Sequence, residues 1–346
     1  MKKSLFMMGV AIAALSSCTQ NEVLDIAESN TIQFGKSYIG KPTRANIINA
    51  ESELENFYVY AKTSTDSWAS NTEDLFTNVN VYRGPEGWGY DNIQKYENTK
   101  QYSFAAYSDG GNGTTTGKLD DNGVTFTAPT ASSTAKLVIA DYTTANDNDL
   151  LVAISESVLA ADQLEVQFAF KHALSQIKFT MHNPLGNNPI RVENFSVTGF
   201  KDNGTLTYQL LNDPVKSDIQ WTGADTDDKT ISGLALGDAT TANPAVGVFT
   251  VIPQALNNLT VSFDATLYNA TTGLKEGETE KFSTTINVSE LLNENYKPGF
   301  IYNFKMTLNM GYIYFDGITV DEWNEDVNEN GNNTDDDIEV PATQLP

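Results

Sequence analysis

Two stretches, "LTVSFDATLYN" at 259–269 and "YNFKMTLNM" at 302–310, constrain this chain most. In the first, Val261, Phe263, Ala265 and Leu267 alternate with Ser262, Asp264, Thr266 and Tyr268. In the second, Tyr302, Phe304, Met306, Leu308 and Met310 alternate with Asn303, Lys305, Thr307 and Asn309. A period of two puts one set of side chains in a core and the other in water, which is the pattern of an antiparallel strand with one solvated face. Shorter runs rich in aromatic and β-branched residues recur between turn residues: 56–63, 101–109, 123–129, 137–142, 190–200, 206–211 and 245–253. A longer run, "LEVQFAFKHALSQIKFTMHN", spans 164–183. Only "VSELLNEN" at 288–295 reads as one or two helical turns. The expected class is all-β, with two antiparallel β-sandwich domains in tandem.

The stretch "NPLGNNP" at 183–189 marks the expected boundary between them. The predicted layout is a signal peptide at 1–17, a polar tether at 18–30, a first sandwich at 31–184, a second at 185–323, and an acidic linker with a closing strand at 324–346. Lys2 and Lys3 precede a short apolar run from Leu5 to Leu15, too short to span a bilayer and suited to an export signal. It ends at Leu15-Ser16-Ser17-Cys18, which looks like a bacterial lipobox, and Cys18 is the only cysteine in the chain. Acylation of Cys18 is the expectation, with an ordinary cleavage site beside a chance cysteine as the alternative. One cysteine forms no intrachain disulfide.

Charge and residue inventory exclude several functions. A net charge of -24 repels phosphate, and nucleic acid is not an expected partner. Two histidines, His172 and His182, both in strand-like runs, and no Gly-x-Ser-x-Gly elbow give a hydrolase nothing to build on. No enzyme activity and no cofactor are expected. "DVNENGNNTDDD" at 326–337 imitates a calcium loop, with Asp326, Asn328 and Asn330 at alternate positions, Gly331 at the bend and Asp337 last. Its final Asp stands where a bidentate Glu is usual, and a flexible acidic linker is the preferred reading. Trp68 and Trp88, read as loop residues, are candidates for sugar stacking or for capping the end of a sandwich.

The first strand-like stretch, "NTIQFGKSYIGKPTRAN" at 30–46, carries Ile32, Phe34 and Tyr38 and then opens at Gly40 and Pro42 around Arg44. Arg44 is one of three arginines, with Arg83 and Arg191. The lipobox, this stretch ending in Thr43-Arg44-Ala45, "DLLVAIS" at 149–155 with the run at 164–181, and the closing "YNFKMTLNM…ITVDEW" together resemble the fimbrillin-like (Mfa-like) family of Bacteroidales surface fimbriae, the type V pilins. The resemblance covers nearly the whole mature chain. It implies transthyretin-like sandwiches, an exported lipoprotein of the outer membrane and cell surface, and cleavage between Arg44 and Ala45 by an Arg-specific protease. Loss of the strand before the cut would leave an edge that templates another strand. The expected partners are other fimbrial subunits, joined head to tail in a homo- or heteropolymer. "IEVPATQLP" at 338–346 is the candidate donor strand, with Ile338, Val340 and Ala342 on one face. The alternative is a tip adhesin or glycan-binding surface lipoprotein that does not polymerise.

Overall fold

A computed structural model describes residues 30–35, 38–39, 54–65, 68, 72–85, 87–110, 119–120, 122–144, 148–159, 165–184, 186, 188–211, 218–223, 229–234, 236–309, 312–322 and 343–344. In chain order the strands are β1 (Tyr38–Ile39), β2 (Asn56–Ser64), β3 (Thr72–Gly84), β4 (Gly87–Tyr90), β5 (Gln101–Gly110), β6 (Val124–Thr127) and β7 (Lys136–Thr143). There follow β8 (Asp149–Leu159), β9 (Ala169–His172), β10 (Ser175–His182), β11 (Ile190–Phe200), β12 (Asn203–Gln209), β13 (Ile219–Thr222) and β14 (Lys229–Leu234). The last are β15 (Gly237–Ala239), β16 (Ala245–Val251), β17 (Leu259–Tyr268), β18 (Lys275–Ile286), β19 (Phe300–Asn309), β20 (Tyr312–Glu322) and β21 (Thr343–Gln344), with one helical turn, α1 (Val288–Leu291), before β19.

These strands build two sandwiches, as the alternation requires. The first packs a seven-stranded sheet, β1-β9-β8-β5-β2-β3-β4, on a four-stranded sheet, β13-β12-β7-β6. The second packs β16-β10-β19-β20-β21 on β14-β11-β17-β18, with β15 also paired to β11. Pairing is antiparallel except at β1–β9 and β10–β19, which are parallel. Strands β17 and β19 behave as their sequence demands: Val261, Phe263 and Ala265, and Tyr302, Phe304, Met306 and Leu308, all enter the core of the second sandwich.

Sheet membership crosses the expected boundary at 184 in both directions. The run 164–183 is not one strand: it breaks at Ala173 and Leu174, so that β9 lies in the first sandwich and β10 in the second. After the boundary, β12 returns to pair with β7, β13 pairs with β12, and the two complete the first sandwich. The cause is hydrophobic. Leu174, Leu206, Tyr208, Ile219, Ile252 and Ile301 are buried in one cluster with Ala105, Tyr107, Leu137 and Val152, so the second half of the chain supplies part of the first core.

The seven-stranded sheet departs further from the expected one-sided pattern. Along β5, Ala105 and Tyr107 face the shared core, while Tyr102, Phe104 and Ala106 face a separate cluster on the opposite side. Both faces are therefore dry. The second cluster holds Phe57, Phe76, Tyr90, Phe104, Phe168 and Phe170, together with Ile32 and Phe34 from the N-terminal segment.

Candidate functional site

The segment 30–35 joins two margins of the seven-stranded sheet. On the side that follows β4, the Ile32 amide donates to Gln94 O at 3.0 Å and the Tyr96 amide donates to Asn30 O at 2.7 Å, around an antiparallel bridge from Thr31 to Lys95. On the side that leads into β9, the Val166 amide donates to Gln33 O at 2.8 Å and the Gly35 amide to Val166 O at 3.0 Å, around a parallel bridge from Phe34 to Val166. β1 continues this parallel pairing, with Tyr38 opposite Ala169 and Ile39 opposite Phe170. The segment acts as the closing stave of a sheet curled round its second core. The Tyr90 hydroxyl adds a hydrogen bond to Ile32 O at 2.9 Å from inside that core.

Phe34 anchors the segment. Its ring meets those of Phe57, Phe76, Tyr90, Phe104 and Phe168 with centroid separations of 5.9, 6.2, 5.5, 6.5 and 6.0 Å. Three of these contacts are edge-on, the arrangement that ring quadrupoles favour. Ile32 is fully buried beside it. Two such side chains contribute about 1.5–3 kcal/mol each by burial alone. The segment thus holds its place through few residues, each with a specific seat.

Arg83 and Arg191 are tied into paired strands. Arg83, opposite Trp88 across β3 and β4, donates from Nε to Leu54 O at 3.1 Å and lies 4.5 Å over the Trp88 ring. Arg191 in β11 donates to Asp238 and lies 4.4 Å over Tyr268. Trp88 is not the loop aromatic that the sequence suggested. It belongs to β4 and packs edge-on against Phe57 at 4.9 Å.

A polar cluster sits at one end of the same sheet. His172 Nδ1 and Asp149 Oδ2 share a hydrogen bond of 2.9 Å, with both side chains fully buried. Nearby, the Tyr142 hydroxyl donates to Asp109 Oδ1 at 2.9 Å. Burial pushes the Asp109 carboxyl above its ordinary range, against the hydrogen bonds from Tyr142 and Asn148 and with Asp149 adding to the rise. Burial likewise lifts the Tyr142 hydroxyl well above its usual value. Among the described residues, no group of three or more His, Cys, Asp or Glu side chains is placed to hold a metal ion.

Cys18, Arg44, Ala45, Asp326, Asn328, Asn330, Asp337, Ile338, Val340 and Ala342 lie outside the described residues. Of the closing segment, Thr343 and Gln344 form β21, antiparallel to Phe315 and Tyr314 at the edge of the second sandwich. What sequence reasoning missed is the degree to which Phe34 is enclosed. The only local signal was an aromatic two residues after an aliphatic and directly before a glycine.

Fold and site define an all-β chain of two sandwiches, whose first carries its own N-terminal segment as an insert between sheet margins. The fimbrillin-like family model matches residues 43–323, and the chain belongs to that family. It is thereby a fimbrial or adhesion subunit of the cell surface. Among solved structures, one described as a candidate cell adhesion protein from Bacteroides uniformis is 14% identical, covering 85% of this chain and 97% of that one, with a TM-score of 0.49. A similarly described protein from Bacteroides ovatus is 15% identical, covering 85% of this chain and 96% of the other, with a TM-score of 0.47. The fimbrial anchor protein Mfa2 from Porphyromonas gingivalis is 13% identical, covering 83% and 96%, with a TM-score of 0.32. No curated protein matches.

Proposed function

We propose that this chain is the lipidated precursor of a fimbrial subunit, anchored at Cys18 in the outer membrane, activated by proteolysis after Arg44 and joined to its neighbours by strand exchange. The observation that supports this reading most is the seat of residues 30–35. They close a sheet and fill a core, yet stand only nine residues before Arg44. While the chain is intact, the segment binds intramolecularly at high effective concentration. Water adding across the Arg44–Ala45 peptide bond leaves a carboxylate on Arg44 and an amine on Ala45. The segment then dissociates as a separate chain. The bared core and the unpaired groups at Gln94, Tyr96 and Val166 template a replacement strand. Arg83 and Arg191, held in ladders and stacked on aromatic rings, resist the same protease. The closing segment with Ile338, Val340 and Ala342 donates in turn to another subunit. Contacts of that kind do not close on themselves and so extend a filament. The role is structural and needs no cofactor.

Mass spectrometry of shed surface filaments tests the reading. Ala45 as the first residue in assembled subunits is the expected result, together with Arg44→Ala protein that stays folded, membrane-bound and unassembled. Acylated Cys18 at the start of every assembled subunit, or normal filaments from Arg44→Ala, would remove the cleavage step.

A further inference from the structure

The slot that holds residues 30–35 imposes a pattern on whatever occupies it. The Ile32 position takes a fully buried aliphatic side chain. The Phe34 position is walled by five aromatic rings at 5.5–6.5 Å, a space that a smaller side chain leaves partly empty. The next position is tight, and a side chain there has to displace the exposed end of Glu165. A Cβ on Gly35 would stand 2.5 Å from Glu165 Oε2, 3.2 Å from Glu165 Cβ and 3.4 Å from Gln167 Cγ. That position must also keep its N–H, since the Gly35 amide donates to Val166 O. The occupant therefore reads aliphatic, any residue, aromatic, then a residue, preferably small, that keeps its N–H.

The tail of this chain does not supply that pattern. Beyond Trp323 it contains no aromatic residue, and beyond Gly331 no glycine. Aligning Ile338 with Ile32 puts Val340 among the rings and Pro341, which has no N–H, where Gly35 stands. A shift of two residues puts Ala342 among the rings and Thr343 against Glu165. A strand entering in the opposite direction still lacks the aromatic.

We propose that the opened slot is filled by the donor strand of a subunit of different sequence, one carrying an aromatic two residues after an aliphatic and directly before a residue that keeps its N–H, and not by the tail of a second copy of this chain. This rests on the strand-exchange reading above and names its partner. The chain then forms joints between unlike subunits, and its own tail enters a groove with aliphatic seats. It is a component placed next to other subunit types and not a self-polymerising stalk.

The test uses full-length protein cleaved after Arg44 by an Arg-specific protease, with its N-terminal fragment removed in mild urea. Four synthetic peptides are titrated against it: residues 30–39, the same peptide with Phe34→Ala, the same with Gly35→Val, and the tail 332–346. Binding is read by native mass spectrometry and by the fluorescence of Trp88, which packs on Phe57 in the bared core. The 30–39 peptide is expected to bind one to one. The Phe34→Ala peptide should bind more than about 100-fold more weakly, and the tail peptide should fail at 100 times the dissociation constant of the first. A tail peptide binding within tenfold of the 30–39 peptide would overturn the heterotypic joint while leaving strand exchange intact. A cleaved protein that never releases its fragment, or that releases it and then binds no peptide, would overturn both.

Discussion

The two sandwiches solve the same packing problem differently. In the second, β17 and β18 turn Thr260, Ser262, Thr285 and Ser283 toward solvent, and one core lies between two sheets. In the first, β2 and β5 are buried along both faces, so the seven-stranded sheet needs a second cover. Part of that cover is a chain segment, residues 30–35 and β1, that is continuous with the rest only through residues 40–53. Among the described residues the second sandwich has no equivalent, and its terminal strand, β21, adds two residue pairs at an edge. Burying a sheet on both faces makes the cover essential, and building it from a segment upstream of Arg44 makes it separable in the proposed cleavage.

The contrast sharpens under substitution. Phe34→Ala should cost the uncleaved protein about 3–5 kcal/mol, as a ring lost from a closed core does, and urea unfolding should place the loss in the first sandwich. After cleavage the same substitution should leave the subunit unchanged, because the residue has departed. Phe104→Ala, by contrast, should weaken both forms. Equal effects of Phe34→Ala before and after cleavage would contradict the separable cover. Gly35→Val should cost about 1–3 kcal/mol through crowding against Glu165. Hydrogen exchange at Val166 and Tyr96, whose amides bond the segment, should report it as faster opening.

Truncation after Gly331 should cost the monomer less than about 1 kcal/mol, since the described residues it removes, Thr343 and Gln344, form a two-residue pairing at a sheet edge. In the proposed role it should nevertheless stop the subunit from donating to others. A large loss of monomer stability would mean that the second sandwich, too, depends on its terminus. The smallest effect is expected at Asp109. Its raised carboxyl pKa means that the folded chain holds this proton more tightly than the unfolded chain. That contribution is fully present below the ordinary carboxylate range and is lost as pH rises through the raised value. Asp109→Asn should abolish this loss, so the variant gains on the wild type in thermal melts as pH rises from below the ordinary carboxylate range. A constant difference over that rise would show that Asp109 does not carry the slope.

Much of the fold was legible because alternation is a local property. β17, β19 and β11 are found where apolar residues repeat every second position. β18 escaped because an edge strand can carry charge on both faces, as "KEGETEKFSTTI" does, and β3 because "TEDLFTNVNVYRG" mixes turn-forming asparagines with its apolar positions. The break at Ala173 and Leu174 could not be read, since both residues are apolar and the strand pattern runs through them without a turn signal. The pairing of β12 with β7 joins residues sixty or more positions apart, and no local pattern specifies it. At the site, Ile32 and Phe34 were recognisable as inward-facing. That Phe34 touches five rings was not, because those rings come from β2, β3, β4, β5 and the approach to β9.

The passage of the chain from β9 into β10 has a mechanical meaning. β9 is the wall against which β1 lies, and β10 sits two strands from β20, the edge that bears β21. A pull on the strand in the slot is resisted by hydrogen bonds to β9, and from there it travels along covalent backbone through Ala173 and Leu174 into the second sandwich. The backbone crosses again from β11 to β12 and from β13 to β14, so a load passing between the sandwiches is shared among three covalent crossings, like the fibres of a splice.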